Sequence, residues 1–366
     1  MAKQNVDKIL YLESMRGIAA LTVAIMHFEL GSIFKMRFIT NSWLMVDFFF
    51  VLSGFVIALN YQSKLRTIKH IFNFQARRFL RLYPLHFATL LLFLGIECAK
   101  YLAEVQFQLL ANNQAFTRNN LWSFLENVLL IQNLSNDRLT WNFPSWSISA
   151  EFYTYLVFAI IAVLTGARQR LFVVFSATVS AGAFFFLFQK GMMLTKWGFI
   201  RCLHAFFLGC LCFNLSVPLK GRVPNILSYI LLGISLYLIG TIKGTHDQIG
   251  VFIPIVFSLF LLSLIASGPQ NKIKTGLDNR FLIYLGTISY GIYMIHAGLW
   301  WVAGQILRQV FHFKPGGVSK IIIENAWVAS GIMLLGLIVL VGLSHLSYKF
   351  IEMPLNAYRR KIGRFS

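Results

Sequence analysis

The sequence predicts an all-α, polytopic membrane protein of about ten transmembrane helices, and three observations support this class. Hydrophobic residues make up 57% of the chain and charged residues only 13%, whereas soluble domains carry about 25% charged residues. The mean hydropathy is +0.67. Long apolar runs recur along the chain, with most basic residues between them. A chain this poor in charge lacks the polar surface that water requires, so lipid is its expected solvent.

Each predicted helix is an apolar run close to the roughly 20 residues that cross a hydrocarbon core. In chain order the runs are 9–30, 43–60, 80–98, 147–165, 171–188, 197–215, 226–242, 249–266, 281–306 and 321–347. The seventh run is short, so we expect it to be tilted or closely paired with the eighth. The long loop after the third run has apolar residues at helical spacing over 121–134, typical of either an interfacial amphipathic helix or a simple connection.

Lysine and arginine are concentrated at the N-terminus, in the even-numbered loops and in the C-terminal segment. Basic loops stay in the cytoplasm, so this bias predicts that both termini are cytoplasmic. We expect a single membrane domain over 1–366, with a short basic cytoplasmic tail at 348–366. The first run carries Glu13 and Arg16 and no small-residue cleavage site follows it, so we expect no cleavable signal peptide.

The net charge of +20 does not indicate nucleic-acid binding, because the cations occupy short loops rather than a stripe beside aromatic residues. The four cysteines show no metal-ligand spacing and fall in or at the end of apolar runs. We therefore expect no bound metal and no disulfide framework, with the cysteines acting as small packing residues.

Ionisable residues within apolar runs are costly and usually face a partner or a water-filled cavity. Arg16 and His27 are eleven residues apart in the first run, which places them on one helix face about 16 Å apart. Arg201 and His204 in the sixth run could be packing residues or could line a channel.

The depths of the other ionisable residues predict two zones. His27, Asp47, Glu151 and His296 are expected near the outer ends of their helices, in one shared chamber. Arg78 and Arg81, with Arg16, are expected at the inner mouth. A cationic mouth suits a phosphate-bearing donor, and an imidazole beside a carboxylate suits general-base chemistry. The alternatives are that the arginines are only topology signals and that the histidines are packing residues.

Six segments resemble the integral membrane acyltransferase-3 family, the O-acyltransferases of bacterial surface polysaccharides, in the right order and over nearly the whole chain. They are YLESMRGIAALTVAIMHF, MVDFFFVLSGFVIA, RRFLRLYPLHF, PSWSISAEFYTYLVF, ISYGIYMIHAGL and YKFIEMPL. The resemblance implies ten core helices, a cytoplasmic acyl-CoA donor and an extracytoplasmic acceptor. Glu13 stands where the family usually has aspartate. Many members carry an additional span and an esterase-like domain, so this chain is expected to act alone or with separate partners.

The resemblance points to Arg16, His27, Arg78, Arg81 and Glu151. We expect the three arginines to bind the donor and the catalytic group to be His27, oriented by Asp47 or Glu151. The same blocks supply the residues expected to bind the acceptor or to line its chamber, namely Trp146, Ser149, Tyr290, Tyr293 and His296. Ser53 is expected to be a small-residue helix contact with Gly54, because no nucleophile elbow surrounds it, although a nucleophilic role is the alternative.

These observations favour a membrane O-acyltransferase, with acetyl transfer the simplest case. The donor would be acyl-CoA as a co-substrate, the acceptor a carbohydrate or glycolipid, and the location the bacterial inner membrane. Either the acceptor hydroxyl attacks the thioester directly or an acyl-histidine intermediate forms. The alternative is a proton-coupled transporter or flippase of a glycan or small metabolite, because intramembrane histidine and glutamate also suit a proton relay.

Overall fold

The computed structural model describes residues 9–34, 36–108, 113–135, 138–166, 168–191, 195–313, 321 and 323–359. The main helices are α1 (Leu10–Met26), α2 (Met45–Tyr61), α3 (Ile68–Phe107), α4 (Trp146–Thr165), α5 (Gln169–Lys190), α6 (Gly198–Leu219), α7 (Asn225–Thr241), α8 (Ile253–Ala266), α9 (Arg280–Thr287), α10 (Ser289–Gln309) and α11 (Ala326–Ser347). Shorter helical segments are Arg37–Thr40, Ser42–Leu44, Leu121–Val128, Gln132–Ser135, Phe143–Ser145, Gln248–Phe252, Lys272–Leu277, Tyr348–Glu352 and Met353–Arg359. Within these ranges the β structure is limited to one isolated bridge, so the predicted all-α class is confirmed.

Every predicted apolar run coincides with one of these helices or with the α9–α10 pair. Among the described residues, seven helical segments are long and apolar enough to cross a membrane, and eight if the bent pair counts as one span. Helices α1 and α7 have 17 residues each and are shorter than the 18 residues required of a candidate span. The multi-pass class is therefore confirmed, whereas the count of ten and the cytoplasmic termini stay predictions.

Two helices differ from their predicted forms. Run 281–306 is not one straight span, because α9 and α10 meet at a 66° bend where Ile288 leaves the helical conformation. Helix α3 begins at Ile68, well before residue 80, with its first turn capped by the Thr67 side chain accepting a hydrogen bond from His70 N–H. Its first turns carry basic residues, which lower the hydropathy and hide the start of the helix from an apolar-run search.

Small residues set the closest helix contacts. A side chain at Gly54 of α2 would overlap the Phe206 backbone of α6, and one at Gly209 would overlap α2. This confirms the predicted small-residue contact at Gly54. Gly17 and Gly286 bring α1 and α9 equally close. Such contacts let helix backbones approach each other in a membrane, and here they fix α1, α2 and α6 around the polar interior described below.

The predicted helix over 121–134 is broken, because Leu130 adopts a positive φ of 57° between Leu121–Val128 and Gln132–Ser135. The first piece is amphipathic with its polar face inward. Glu126 and Asn127 are buried, whereas Leu121 and Trp122 are more than 70% exposed. This arrangement is typical of a helix whose apolar face meets lipid.

The C-terminal segment continues α11 through a π-helical turn, Tyr348–Glu352, and then Met353–Arg359. The remaining basic residues of the predicted tail, Arg360, Lys361 and Arg364, lie outside the described residues. Whether the segment from 348 onward is a cytoplasmic tail stays a prediction.

Candidate active site

Two partly enclosed cavities lie among the helices and share part of their walls. The first, here called the Arg cavity, has a volume of about 320 Å³ and is lined by Glu13, Arg16, Ser53, Tyr61, Arg78, Arg81, Glu151 and Tyr155, among others. The second, the His cavity, has a volume of about 520 Å³ and is lined by His27, Trp43, Glu97, Trp141, Phe143, Trp146, Trp300, Trp301 and Arg308, among others. Val46 and Tyr293 line both.

The three arginines that the sequence predicted at the inner mouth all line the Arg cavity. Arg16 comes from α1, and Arg78 and Arg81 come from one face of α3, where residues three apart are neighbours. Arg78 is buried, donates from Nη2 to the Tyr61 hydroxyl at 2.9 Å and lies over the Tyr61 ring. Arg16 and Arg81 are partly exposed. A concentration of guanidinium groups in a partly enclosed cavity suits an anionic ligand.

Glu151 also lies in the Arg cavity, not beside His27. Its Oε1 accepts hydrogen bonds from Ser53 Oγ and from the Tyr155 hydroxyl, each at 2.5 Å. The prediction of one outer chamber holding His27, Asp47, Glu151 and His296 is therefore wrong for Glu151. Ser53 is more than a helix contact, because its hydroxyl belongs to this hydrogen-bonded group while its neighbour Gly54 makes the helix contact.

In the His cavity, His27 is hydrogen-bonded to His296, with 3.1 Å between His27 Nδ1 and His296 Nε2. His27 caps the C-terminal end of α1, where helix carbonyls favour a cation. Trp300 of α10 donates to the Ala24 carbonyl at 2.8 Å and so holds this end of α1. Phe143 packs edge-on against the His27 ring. The sequence predicted that His27 and His296 share a chamber, and the structure brings them into contact.

The hydrogen bonds assign the tautomers of the neutral pair. His296 Nδ1 lies 3.2 Å from the Ile292 carbonyl oxygen, which can only accept, so Nδ1 carries the His296 proton. His296 Nε2 is then the acceptor, and His27 Nδ1 must donate to it. His27 Nε2 is left with the lone pair, which is the form that a general base requires.

Asp47 is buried behind the cavity walls and lines neither cavity. Its Oδ2 accepts from Arg201 Nη2 at 2.7 Å, and both side chains are fully buried. The Arg201 guanidinium lies over the rings of Trp43 and Trp146, which line the His cavity. The prediction that Asp47 shares the His27 chamber is wrong, because a carboxylate in a membrane interior is stabilised by the nearest fixed cation.

The remaining predicted residues divide between the two cavities and the packed interior. Trp146 lines the His cavity and Tyr290 the Arg cavity, where the Tyr290 hydroxyl also donates to the Leu82 carbonyl oxygen. Ser149 lines neither cavity, because it is fully buried and donates to the Leu130 carbonyl oxygen. His204, which could have lined a channel, instead contacts Ser180 through Nδ1 at 3.0 Å.

Sequence reasoning missed Val46, Tyr155 and the aromatic residues Trp43 and Trp141. None carries a charge or a motif of its own. Tyr155 follows Glu151 by one helical turn, so the i, i+4 spacing on α4 was a signal that could have paired them.

Comparison with known proteins identifies the family. The sequence model of the acyltransferase-domain family matches residues 9–345. Acyltransferase MdmB of Streptomyces mycarofaciens is 26% identical over 359 residues, covering 88% of each chain. O-acetyltransferase OatA of Staphylococcus aureus is 25% identical over 374 residues, which cover 94% of this chain and 56% of that relative. The chain thus spans little more than half the length of OatA, and no solved structure matches it.

The family match covers nearly all of the described helices, including those that supply both cavities. On this evidence the chain belongs to the integral membrane acyltransferase-3 family and is a multi-pass membrane acyltransferase.

Proposed function

We propose that this protein is an O-acyltransferase that moves an acyl group, in the simplest case acetyl, from cytoplasmic acyl-CoA to a hydroxyl of an extracytoplasmic carbohydrate or glycolipid. The observation that carries the proposal is that an arginine-lined cavity and a histidine-containing cavity adjoin each other and share part of their walls. One cavity suits a phosphate-bearing donor and the other suits a hydroxyl acceptor, and they meet where an acyl group would change partners.

The donor would enter the Arg cavity. Arg16 and Arg81, both partly exposed in it, would contact the phosphates of acyl-CoA, since guanidinium groups bind phosphate in two-point geometry. The charge bias of the loops supports a cytoplasmic opening. The Ser53–Glu151–Tyr155 group lines the same cavity and would contact the pantetheine arm, which carries hydrogen-bonding amides.

The acceptor would bind in the His cavity. Its walls combine indole rings, including Trp141 and Trp146, with polar groups such as Glu97 and Arg308. Flat apolar rings beside hydrogen-bonding groups suit a sugar, which presents both apolar faces and hydroxyl edges. Glu97 is itself fixed by Lys100 at 3.1 Å and by Asn119, whose Nδ2 donates at 2.8 Å.

The reaction would follow from the tautomers. His27 Nε2 takes the proton of the acceptor hydroxyl while the hydroxyl oxygen attacks the carbonyl carbon of the thioester. The C–S bond then breaks, coenzyme A leaves as the thiolate, and the imidazolium returns the proton to sulfur. His296 holds the His27 ring, and a general base of this kind contributes on the order of 10²–10⁴ in rate.

The test uses purified protein in sealed liposomes, with acetyl-CoA labelled in its acetyl group added outside. Oligosaccharides and glycolipids extracted from the source cells are trapped inside. We expect label in the trapped material with wild-type protein and none with His27→Gln, while His246→Gln, an exposed histidine outside both cavities, behaves as wild type. Movement of unlabelled glycan across the membrane without acyl transfer would instead support the transporter.

A further inference from the structure

The part of the wall that the two cavities share, here called the junction, is formed by two side chains. Of the described residues, Val46 and Tyr293 are the two that line both cavities, and each is less than 10% exposed. The ring of Phe49 on α2 lies 6.0 Å from the Tyr293 ring, on the side of the Arg cavity.

Hydrogen bonds hold the Tyr293 side of the junction in place. Its hydroxyl is 2.8 Å from Ser147 Oγ and donates to the Pro144 carbonyl oxygen at 3.0 Å. Ser147 Oγ also lies 3.1 Å from that carbonyl. The phenol on α10 is therefore anchored to the start of α4, and its side chain cannot swing to another χ1 rotamer without breaking these contacts.

The Val46 side is equally fixed. Val46 lies in the first turn of α2, directly before Asp47, whose carboxylate is paired with Arg201 at 2.7 Å. A β-branched side chain on a helix has one strongly preferred rotamer. The junction is thus built from two side chains whose positions are constrained by their surroundings.

The chemistry of the proposed function brings the acyl group to this junction. A donor that enters through the Arg cavity arrives with its acyl group leading, followed by the sulfur and the pantetheine arm. For transfer, the thioester carbon must lie within about 3–3.5 Å of the acceptor oxygen. That oxygen is activated by His27 in the His cavity, so the acyl chain has to fit between Val46 and Tyr293.

We propose that Val46 and Tyr293, backed by Phe49, select the length of the acyl group and restrict the donor to short acyl chains of about acetyl size. This inference rests on the proposed function and names the residues that decide its donor specificity. One methylene in excess of a well-packed pocket reduces kcat/KM by about 10–200-fold, so rigid walls at this point suffice to reject longer chains.

The experiment measures kcat/KM for acetyl-, propionyl-, butyryl- and hexanoyl-CoA. The acceptor is the same extract of oligosaccharides and glycolipids from the source cells. Wild-type protein should favour acetyl-CoA over butyryl-CoA by tenfold or more. Val46→Ala widens the junction and should raise the butyryl-to-acetyl ratio about tenfold. Val46→Ile narrows it and should lower the propionyl-to-acetyl ratio. Tyr293→Phe keeps the ring but loses the anchor, so it should also relax the preference.

The control is Val51→Ala, which deletes the same two methyl groups from a buried valine of α2 that lines neither cavity. Its chain-length ratios should match those of the wild type. Equal rates for all four donors in the wild type, or unchanged ratios in both Val46 variants, would overturn the inference while leaving the proposed function intact. Failure of the wild type to transfer any acyl group would overturn the proposed function itself.

Discussion

Arg201 and Asp47 form a fully buried ion pair, with 2.7 Å between Arg201 Nη2 and Asp47 Oδ2. The pair joins α6 to the first turn of α2, and its guanidinium lies over two of the indole rings that line the His cavity. Asp47 is therefore linked to the wall of the His cavity through Arg201.

This relationship predicts that each partner depends on the other. Arg201→Met or Asp47→Leu alone should destabilise the protein by about 3–5 kcal/mol, because the remaining buried charge loses its counter-ion. The double variant should be more stable than either single variant. Thermal unfolding of the detergent-solubilised variants measures this. Single variants that unfold like the wild type but lack transfer activity would return Asp47 to a direct catalytic role.

A second prediction concerns the histidine pair. His27→Gln should bind the donor normally and lose at least about 100-fold in turnover, because an amide does not accept a proton near neutral pH. His296→Gln should retain more activity than His296→Leu, since a side-chain carbonyl can still accept from His27 Nδ1. Turnover at saturating donor, with donor binding measured on the same samples, checks both. Equal losses for the two His296 variants would show that His296 does not position His27.

A third prediction addresses the alternative role of Ser53. Ser53→Ala should reduce turnover less than about tenfold, because the hydroxyl only helps to hold Glu151, which keeps its hydrogen bond from the Tyr155 hydroxyl. Intact-mass analysis after mixing with acetyl-CoA should show no acetylated Ser53. A loss above a thousandfold, or an acetyl group on that serine, would identify a covalent route.

A fourth prediction concerns the donor. Arg81→Ala should raise the KM for acyl-CoA about 10-fold or more, as expected for the loss of a charge-assisted phosphate contact. Arg81→Lys should recover only part of the affinity, because lysine lacks the planar fork. Arg170→Ala, an exposed cation outside both cavities, is the matched control. An unchanged donor KM in Arg81→Ala would mean that this arginine serves topology alone.

A fifth prediction concerns sidedness. Reporter fusions after Ser366 and in the loop near Asn119 should report opposite sides of the membrane, with the C-terminus cytoplasmic. The lysine and arginine bias supports this orientation. If both reporters read the same side, the predicted topology is wrong, and so is the assignment of the Arg cavity to the cytoplasmic side.

The sequence by itself determined the fold class, the approximate position of each main helix and the grouping of Arg16, Arg78 and Arg81. Hydropathy indicates whether a segment lies in lipid or water, and helical spacing indicates which residues share a face. Both can be read from residues that are close together in the sequence. A close helix contact at Gly54 was likewise predictable, since small residues mark close helix approach, whereas its partner α6 was known only from the structure.

Only the tertiary structure decided which distant polar groups meet. Asp47 and Glu151 lie at similar predicted depths, yet Asp47 pairs with Arg201 of α6 and Glu151 with Ser53 of α2. Depth along a helix axis is a one-dimensional quantity, whereas partners are set by the rotation of each helix and by its neighbours in the bundle. For the same reason the junction of Val46 and Tyr293 has no signature in the sequence, because it exists only where α2 and α10 enclose the space between the cavities.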